Sequence, residues 1–182
     1  MKFLVISDIH GAMDAFNLAE TAFKNENADY FVCCGDYLYH GPRNMLPIGY
    51  DPADLAPVLN RHKDKILAVR GNCDSEVDQM LLDFPMMSNY LIFFSNGRRF
   101  FVTHGHLYTD DTLPPLSPGD VVISGHTHVP VLEQRNNLIF LNPGSTTIPK
   151  SQSKPGYAII DDNSIALKNL LDGTEIKRLE LQ

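Results

Sequence analysis

Apolar runs alternate with amphipathic segments over the first half of the chain. Short runs rich in β-branched and aromatic residues predict buried strands at Phe3–Ser7, Tyr30–Cys34 and Lys65–Val69. Between the first two runs, Ala12–Lys24 has apolar residues at spacings of one, three and four, which predicts an amphipathic helix. Asp51-Pro52 is typical of a helix start, and that helix is expected to reach about His62. This alternation favours βαβ units and a partly parallel sheet with right-handed crossovers.

The second half is richer in strands and hairpins. Two hairpin turns are predicted at Asn96-Gly97 and Asn136-Asn137, each flanked by strand-like runs. Further strands are predicted at Val121–Ser124, Tyr157–Asp161, Ser164–Leu170 and Thr174–Leu181. These hairpins favour a mostly antiparallel arrangement for this half. The simplest architecture is an α/β fold with two facing mixed sheets and helices outside them.

Length and charge limit the class of protein. The 182 residues, 43% of them hydrophobic, suit one globular domain, expected to span residues 1–182. A net charge of −7 disfavours general nucleic-acid binding. Three cysteines do not form a disulfide framework, no signal segment precedes the first strand, and no apolar run approaches the ~20 residues of a membrane helix. We therefore expect a cytoplasmic protein without membrane contact.

Polar clusters occur where five of the apolar runs end. The clusters are Asp8-Ile9-His10, Gly35-Asp36, Gly71-Asn72, His104-Gly105-His106 and His126-Thr127-His128. They contain five of the seven histidines. In α/β folds, side chains at strand ends converge on one rim of the sheet, and residues i and i+2 of a strand point to the same face. The clusters are therefore expected to meet in one site.

The ligand types in these clusters indicate a catalytic metal centre. Carboxylate, imidazole and amide groups without thiolate suit Mn²⁺, Fe or Zn²⁺. Taken singly, each cluster has a simpler interpretation: Gly-Asp and Gly-Asn are common turns, and His-Thr-His also suits a surface metal scavenger. The conjunction of five clusters favours a two-metal hydrolase.

The order of these motifs resembles that of the calcineurin-like metallophosphoesterases, and in particular the small bacterial phosphodiesterases of the YfcE type. The resemblance also covers His40-Gly41-Pro42-Arg43-Asn44 and Asn142-Pro143-Gly144-Ser145. It implies the four-layer αββα sandwich of that family. It further implies one metal on Asp8, His10 and His128, a second on Asn72, His104 and His126, and Asp36 bridging both.

Four other residues are candidates for catalysis or substrate contact. His106 is expected beside the metal ligands or at the substrate side, and Asn72 is expected to act in catalysis as well as in metal binding. Arg43 and Asn44 are in position to reach a phosphate oxygen, although a solvated loop arginine is the simpler interpretation. Many relatives have a histidine as general acid where this chain has Cys73. We therefore hypothesise a preference for leaving groups that are already stable anions, while a small residue that fills the loop is the simpler interpretation of Cys73.

The expected function is hydrolysis of small phosphodiesters by a hydroxide that two divalent metal ions activate. Mn²⁺ is the expected metal, with Fe, Zn²⁺ or Ni²⁺ as alternatives. A phosphomonoesterase, acting on nucleotides or phosphoproteins, would use the same metals. A scaffold resembling the retromer subunit of this fold is the non-catalytic alternative, which the intact ligand set disfavours. Homo-oligomerisation is a further expectation.

Overall fold

The computed structural model describes residues 1–181 and contains two mixed sheets. The strands are β1 (Phe3–Ile6), β2 (Tyr30–Cys33), β3 (Ile66–Ala68), β4 (Tyr90–Ser95), β5 (Arg98–Thr103), β6 (Val121–Ile123), β7 (Val131–Arg135), β8 (Leu138–Asn142), β9 (Gly156–Ile160), β10 (Ser164–Asn169) and β11 (Glu175–Glu180). The helices are α1 (Met13–Asn25), α2 (Pro52–Asn60) and α3 (Glu76–Leu81), with a 3-10 turn at Lys63–Lys65. The predicted elements are thus confirmed, with ends that differ by a few residues.

Both sheets combine three parallel strands with antiparallel ones, at one end of the six-stranded sheet and in the middle of the five-stranded sheet. The six-stranded sheet has the order β11-β10-β9-β1-β2-β3, in which β1, β2 and β3 are parallel. The five-stranded sheet has the order β4-β5-β6-β8-β7, in which β5, β6 and β8 are parallel. The prediction of a mostly antiparallel second half was therefore wrong for this sheet. The two hairpins are separated by β6, which pairs in parallel with one strand of each.

Two apolar layers hold the sheets in place. One face of the six-stranded sheet packs against the helices, through residues such as Phe16 of α1 and Leu59 of α2. Its other face meets the five-stranded sheet, through residues such as Val5, Val32 and Val102. The expected facing sheets are confirmed. All the described helices precede β4 in the chain. Residues 104–120, which connect β5 to β6, contain no helix. This connection therefore places no helix on the outer face of the five-stranded sheet.

Local sequence signals explain the turns and helix starts. Asp51 caps α2, since its Oδ1 accepts a hydrogen bond from the Asp54 backbone N–H at 3.1 Å. Both predicted hairpin turns have left-handed residues at their two central positions, Asn96-Gly97 and Asn136-Asn137.

None of the described helices is long and apolar enough to cross a membrane.

Candidate metal centre

The carboxyl ends of the parallel strands from both sheets meet at one place. From the six-stranded sheet, β1 leads to Asp8 and His10, β2 to Asp36, and β3 to Asn72. From the five-stranded sheet, β5 leads to His104, and β6 leads to His126 and His128. The predicted convergence of separate strand ends therefore occurs, and both sheets contribute to it.

Buried carboxylates and imidazoles form the centre of this site. Three overlapping groups have donor atoms within 4.8 Å of one another: Asp8 with His10 and His128, Asp8 with Asp36 and His104, and His10 with Asp36 and Cys73. His128 Nε2 lies 3.2 Å from Asp8 Oδ1, and His104 Nε2 lies 3.4 Å from Asp36 Oδ2. Two ligand atoms that each lie about 2.0–2.2 Å from one metal ion would be separated from each other by distances close to these two.

Backbone carbonyls fix the tautomer of three histidines. The Nδ1 atoms of His10, His104 and His128 lie 2.9, 2.6 and 2.8 Å from the carbonyl oxygens of Tyr39, Cys34 and Ile148. Because a carbonyl oxygen accepts hydrogen bonds, each Nδ1 is the protonated donor, and each neutral ring presents the Nε2 lone pair to the centre. Metal-binding histidines are held in this way.

These lone pairs face each other and the carboxylates. His10 Nε2 lies 3.4 Å from His128 Nε2, with no hydrogen atom to share if both rings are neutral. Asp8 Oδ1 is buried and has no hydrogen-bond partner among residues 1–181. Electron pairs gathered in a buried space repel one another unless a proton or a cation lies among them. The residues therefore fit divalent metal ions.

The charges of the site alter the ionisation of its members. Burial opposes ionisation of Asp36, but the hydrogen bonds from His104 and the Cys73 backbone hold its pKa at about 2. Burial likewise opposes protonation of His104, yet its hydrogen bond to Asp36 and the charge of Asp8 raise its pKa to about 9. Asp36 is therefore ionised, and its negative charge favours a cation among these side chains.

Backbone conformation is strained at most of the candidate ligands. Five of them have positive φ angles, between 49° and 66°: Asp8, His10, Asp36, His126 and His128. L-residues seldom adopt this left-handed region, which costs of order 1–3 kcal/mol at each such position. The strand-face argument for Asp8 with His10, and for His126 with His128, was therefore wrong in its geometry. β1 and β6 end before these residues, and left-handed turns bring the side chains together.

The second half of the site is more open. Asn72 Oδ1 lies 3.0 Å from His104 Nε2, and the His126 ring centroid lies 5.1 Å from that of His104. Asn72 is exposed and His126 is half-buried, whereas His104 is fully buried. With Asp36, whose Oδ2 lies 3.4 Å from His104 Nε2, these residues form the part of the site next to solvent.

His106 lies behind the site. Its ring is 5.3 Å from that of His104 and 6.1 Å from that of His126, and its buried Nδ1 has no hydrogen-bond partner among the described residues. The open cavity over the metal centre has a volume of about 750 Å³. Within residues 1–181 its wall includes Asn72 and His126 but not His106.

The other candidate contacts line that cavity. Arg43, Asn44 and Cys73 all belong to its wall. The Asn44 amide donates a hydrogen bond to the His40 carbonyl at 2.8 Å, so it also holds its own loop. Burial and the charge of Asp36 raise the pKa of the Cys73 thiol to about 12, so the thiol is neutral at physiological pH.

Sequence reasoning assigned no role to the side chains of Asp74 and Ser145, although the resemblance covered the segment that contains Ser145. Asp74 accepts hydrogen bonds from the backbone N–H groups of Asp36, Tyr37 and Gly71, at 2.8, 2.9 and 2.6 Å. Ser145 Oγ donates to the Asp8 carbonyl at 2.8 Å. Asp74 lies two residues beyond Asn72 in the sequence, and that proximity was the only available signal.

The sequence model of the calcineurin-like phosphoesterase superfamily domain matches residues 1–164. The chain belongs to this superfamily. It is therefore a phosphoesterase whose clustered side chains bind divalent metal. The chain is 44% identical over 181 residues to phosphodiesterase YfcE of Escherichia coli K12, covering 100% of this chain and 98% of that protein.

Solved structures agree with this assignment. The structure of the E. coli phosphoesterase YfcE has a TM-score of 0.97 at 43% identity, covering 100% of both chains. Vacuolar Protein Sorting 29 from Cryptosporidium parvum has a TM-score of 0.64 at 20% identity, covering 98% of this chain and 96% of that one. At this low identity, the second likeness concerns the fold alone.

Proposed function

We propose that this protein is a phosphodiesterase that hydrolyses small phosphodiesters with two divalent metal ions. The observation that carries the proposal is the pair of buried carboxylates facing three Nε2 lone pairs. Asp8, His10 and His128 would hold one ion, Asn72, His104 and His126 the other, and Asp36 would bridge them. Such ions, when bound, lower the pKa of water toward ~7 and neutralise charge on phosphate oxygens.

The residues around the ions would position the substrate. The cavity opens beside Asn72, whose exposed amide is within reach of an incoming phosphate oxygen. Arg43 also lines this cavity and offers a planar set of donors to a phosphate group there. Within residues 1–181, the cavity wall does not include His106, so we propose that His106 orients His104 and His126 through ring packing.

Mn²⁺ is the proposed ion on the strength of the family resemblance, with Fe, Zn²⁺ or Ni²⁺ as alternatives; oxygen and nitrogen ligands without thiolate are compatible with all of them. Chelation followed by addition of single ions ranks them. The expected order has Mn²⁺ first, measured as turnover of bis(p-nitrophenyl) phosphate. Equal turnover without any added ion would contradict metal dependence.

Loss of a ligand tests the site assignment. We expect Asp36→Asn and His128→Ala to lower kcat/KM for bis(p-nitrophenyl) phosphate by more than about 100-fold, the upper end of what losing an outer-shell partner costs. His62→Gln is the matched control, because His62 pairs with Glu20 away from the site. Full turnover in both ligand variants would refute the assignment.

Turnover of p-nitrophenyl phosphate, measured alongside, separates diesterase from monoesterase activity. A protein that binds no metal and has no turnover would instead favour the scaffold alternative.

Cellular location and association are also proposals. We propose a cytoplasmic protein, supported by three cysteines that form no disulfide.

We propose self-association through edge strand β4, which exposes Tyr90, Ile92 and Phe94 and carries no charged residue. Light scattering of the wild type and of Phe94→Lys checks this, and a monomeric wild type would contradict it.

A further inference from the structure

Two positively charged side chains at the open side of the metal-site cavity have no hydrogen-bond or ion-pair partner among residues 1–181. Arg43 and Lys150 both line this cavity, and both are exposed. Within residues 1–181, no hydrogen bond or ion pair engages either side chain.

The backbone of Lys150 is fixed to a candidate metal ligand. Its N–H donates to the His128 carbonyl at 3.1 Å, and its carbonyl accepts hydrogen bonds from Ser153 N and Oγ, at 3.0 and 2.6 Å. The next two residues, Ser151 and Gln152, have φ angles of 55° and 61°. A strained turn therefore holds the lysine beside His128.

Arg43 belongs to a second loop, which is bound to His10 much as the Lys150 loop is bound to His128. Its loop begins at Tyr39, whose carbonyl accepts the Nδ1–H of His10 at 2.9 Å. The loop is closed by the Asn44 amide on the His40 carbonyl. The two cations thus come from two separate loops, each fastened to one of the histidines whose Nε2 atoms lie 3.4 Å apart.

The positive charge around the cavity would exceed the single negative charge of a simple phosphodiester. Two divalent ions would supply four positive charges and Asp8 with Asp36 remove two, which leaves two against the single negative charge of a phosphodiester. Arg43 and Lys150 add two more. A volume of about 750 Å³ also holds more than one phosphate group.

We infer that Arg43 and Lys150 form a subsite for a second phosphate, so that the preferred substrates are small phosphodiesters with an additional phosphate group on the non-leaving side. An arginine and a lysine approaching from two loops suit a phosphate dianion, whereas a carboxylate would be satisfied by the arginine fork alone. This inference rests on the proposed function.

Two matched substrates test the inference. Thymidine 5′-(p-nitrophenyl phosphate) and its 3′-phosphorylated form share the scissile bond and the leaving group, and both release p-nitrophenolate. We expect the 3′-phosphate to raise kcat/KM by about tenfold or more in the wild type at low salt. We expect Lys150→Met and Arg43→Met each to reduce this ratio at least about threefold, while Lys154→Met, on the same surface loop but outside the cavity wall, keeps it.

Binding provides a second readout. Calorimetry on chelator-treated protein is expected to give a lower Kd for thymidine 3′,5′-bisphosphate than for thymidine 5′-monophosphate, with the difference reduced in Lys150→Met. A wild-type kcat/KM ratio near one, or a ratio that both variants retain, would overturn the subsite. If the wild type with added metal cleaves neither diester, the proposed function itself fails, which is a distinguishable result.

Discussion

The carboxylate of Asp74 accepts the backbone N–H of Asp36 at 2.8 Å, so one buried aspartate holds another in position. Asp74 also accepts the N–H of Gly71, just before Asn72. The loops after β2 and β3 are thus joined through one side chain that lies outside the ligand set. The relative position of Asp36 and Asn72 therefore depends on Asp74.

Replacing Asp74 should therefore affect both stability and metal binding. We expect Asp74→Ala to lower the free energy of unfolding by ~2–4 kcal/mol, because three backbone donors lose a charged acceptor. Metal affinity should fall as well, since Asp36 and Asn72 are no longer held. Urea unfolding and metal titration measure the two effects. Asp83→Asn is the control, because Asp83 forms only an exposed ion pair with Lys63. Similar unfolding curves for the two variants would contradict this role.

Gly125 lies where a side chain cannot fit. A Cβ atom there would lie 1.8 Å from Ser7 Oγ and 2.8 Å from Asp8 Oδ2. We expect Gly125→Ala to destabilise the protein by ~1–3 kcal/mol through overpacking and to displace Asp8, with loss of diesterase turnover. Gly97→Ala is the comparison, because nothing lies within 4 Å of its Cβ position, and only its left-handed backbone is strained. It should keep its turnover. A fully active Gly125→Ala protein would show that the close approach is not required.

Cys73 should determine the choice of leaving group. Its neutral thiol, which has a pKa of about 12, is a weak proton donor to a departing oxygen. Rates for a series of aryl phosphodiesters should therefore fall steeply as the pKa of the leaving phenol rises. Cys73→His should flatten this dependence and increase turnover of the poorest leaving groups about tenfold or more. A flat dependence in the wild type would contradict the hypothesis.

A half-buried ion pair lies outside the metal site. Glu26 accepts hydrogen bonds from Lys168 and from Tyr157 Oη, the latter at 3.0 Å. Burial opposes ionisation of Glu26, but Lys168 and Tyr157 lower its pKa below the usual glutamate value. A lowered folded-state pKa gives stability that is present above the unfolded-state pKa and is lost as the pH falls through the folded-state value.

Glu26→Gln should consequently destabilise the protein by ~1–2 kcal/mol at neutral pH. The difference from the wild type should shrink as the pH is lowered below the usual glutamate pKa. Urea midpoints measured between neutral and acidic pH check this. A difference that does not depend on pH would mean that the charge of Glu26 contributes nothing.

The elements of the fold could largely be predicted from the sequence, because apolar periodicity and Asn-Gly or Asn-Asn turns are local signals. The pairing of β6 with both β5 and β8 could not, since parallel neighbours are set by packing between distant segments. The convergence of the ligands followed from strand ends, but the left-handed turns at Asp8 and His126 could not be read from spacing.

Contacts made by loops were the least predictable part of the site. Asp74 accepts hydrogen bonds from backbone groups up to 38 positions away, and Lys150 lines the cavity from a loop whose backbone is bound to His128. Neither residue belongs to a periodic pattern. Both are identified only when the folded loops are seen together.

Anomalous diffraction from a crystal grown with Mn²⁺ tests the central claim most directly. The account predicts two peaks about 3.5–4 Å apart, one beside Asp8, His10 and His128 and the other beside Asn72, His104 and His126, with Asp36 between them. The absence of any peak among these side chains in a folded, Mn²⁺-saturated crystal would contradict it.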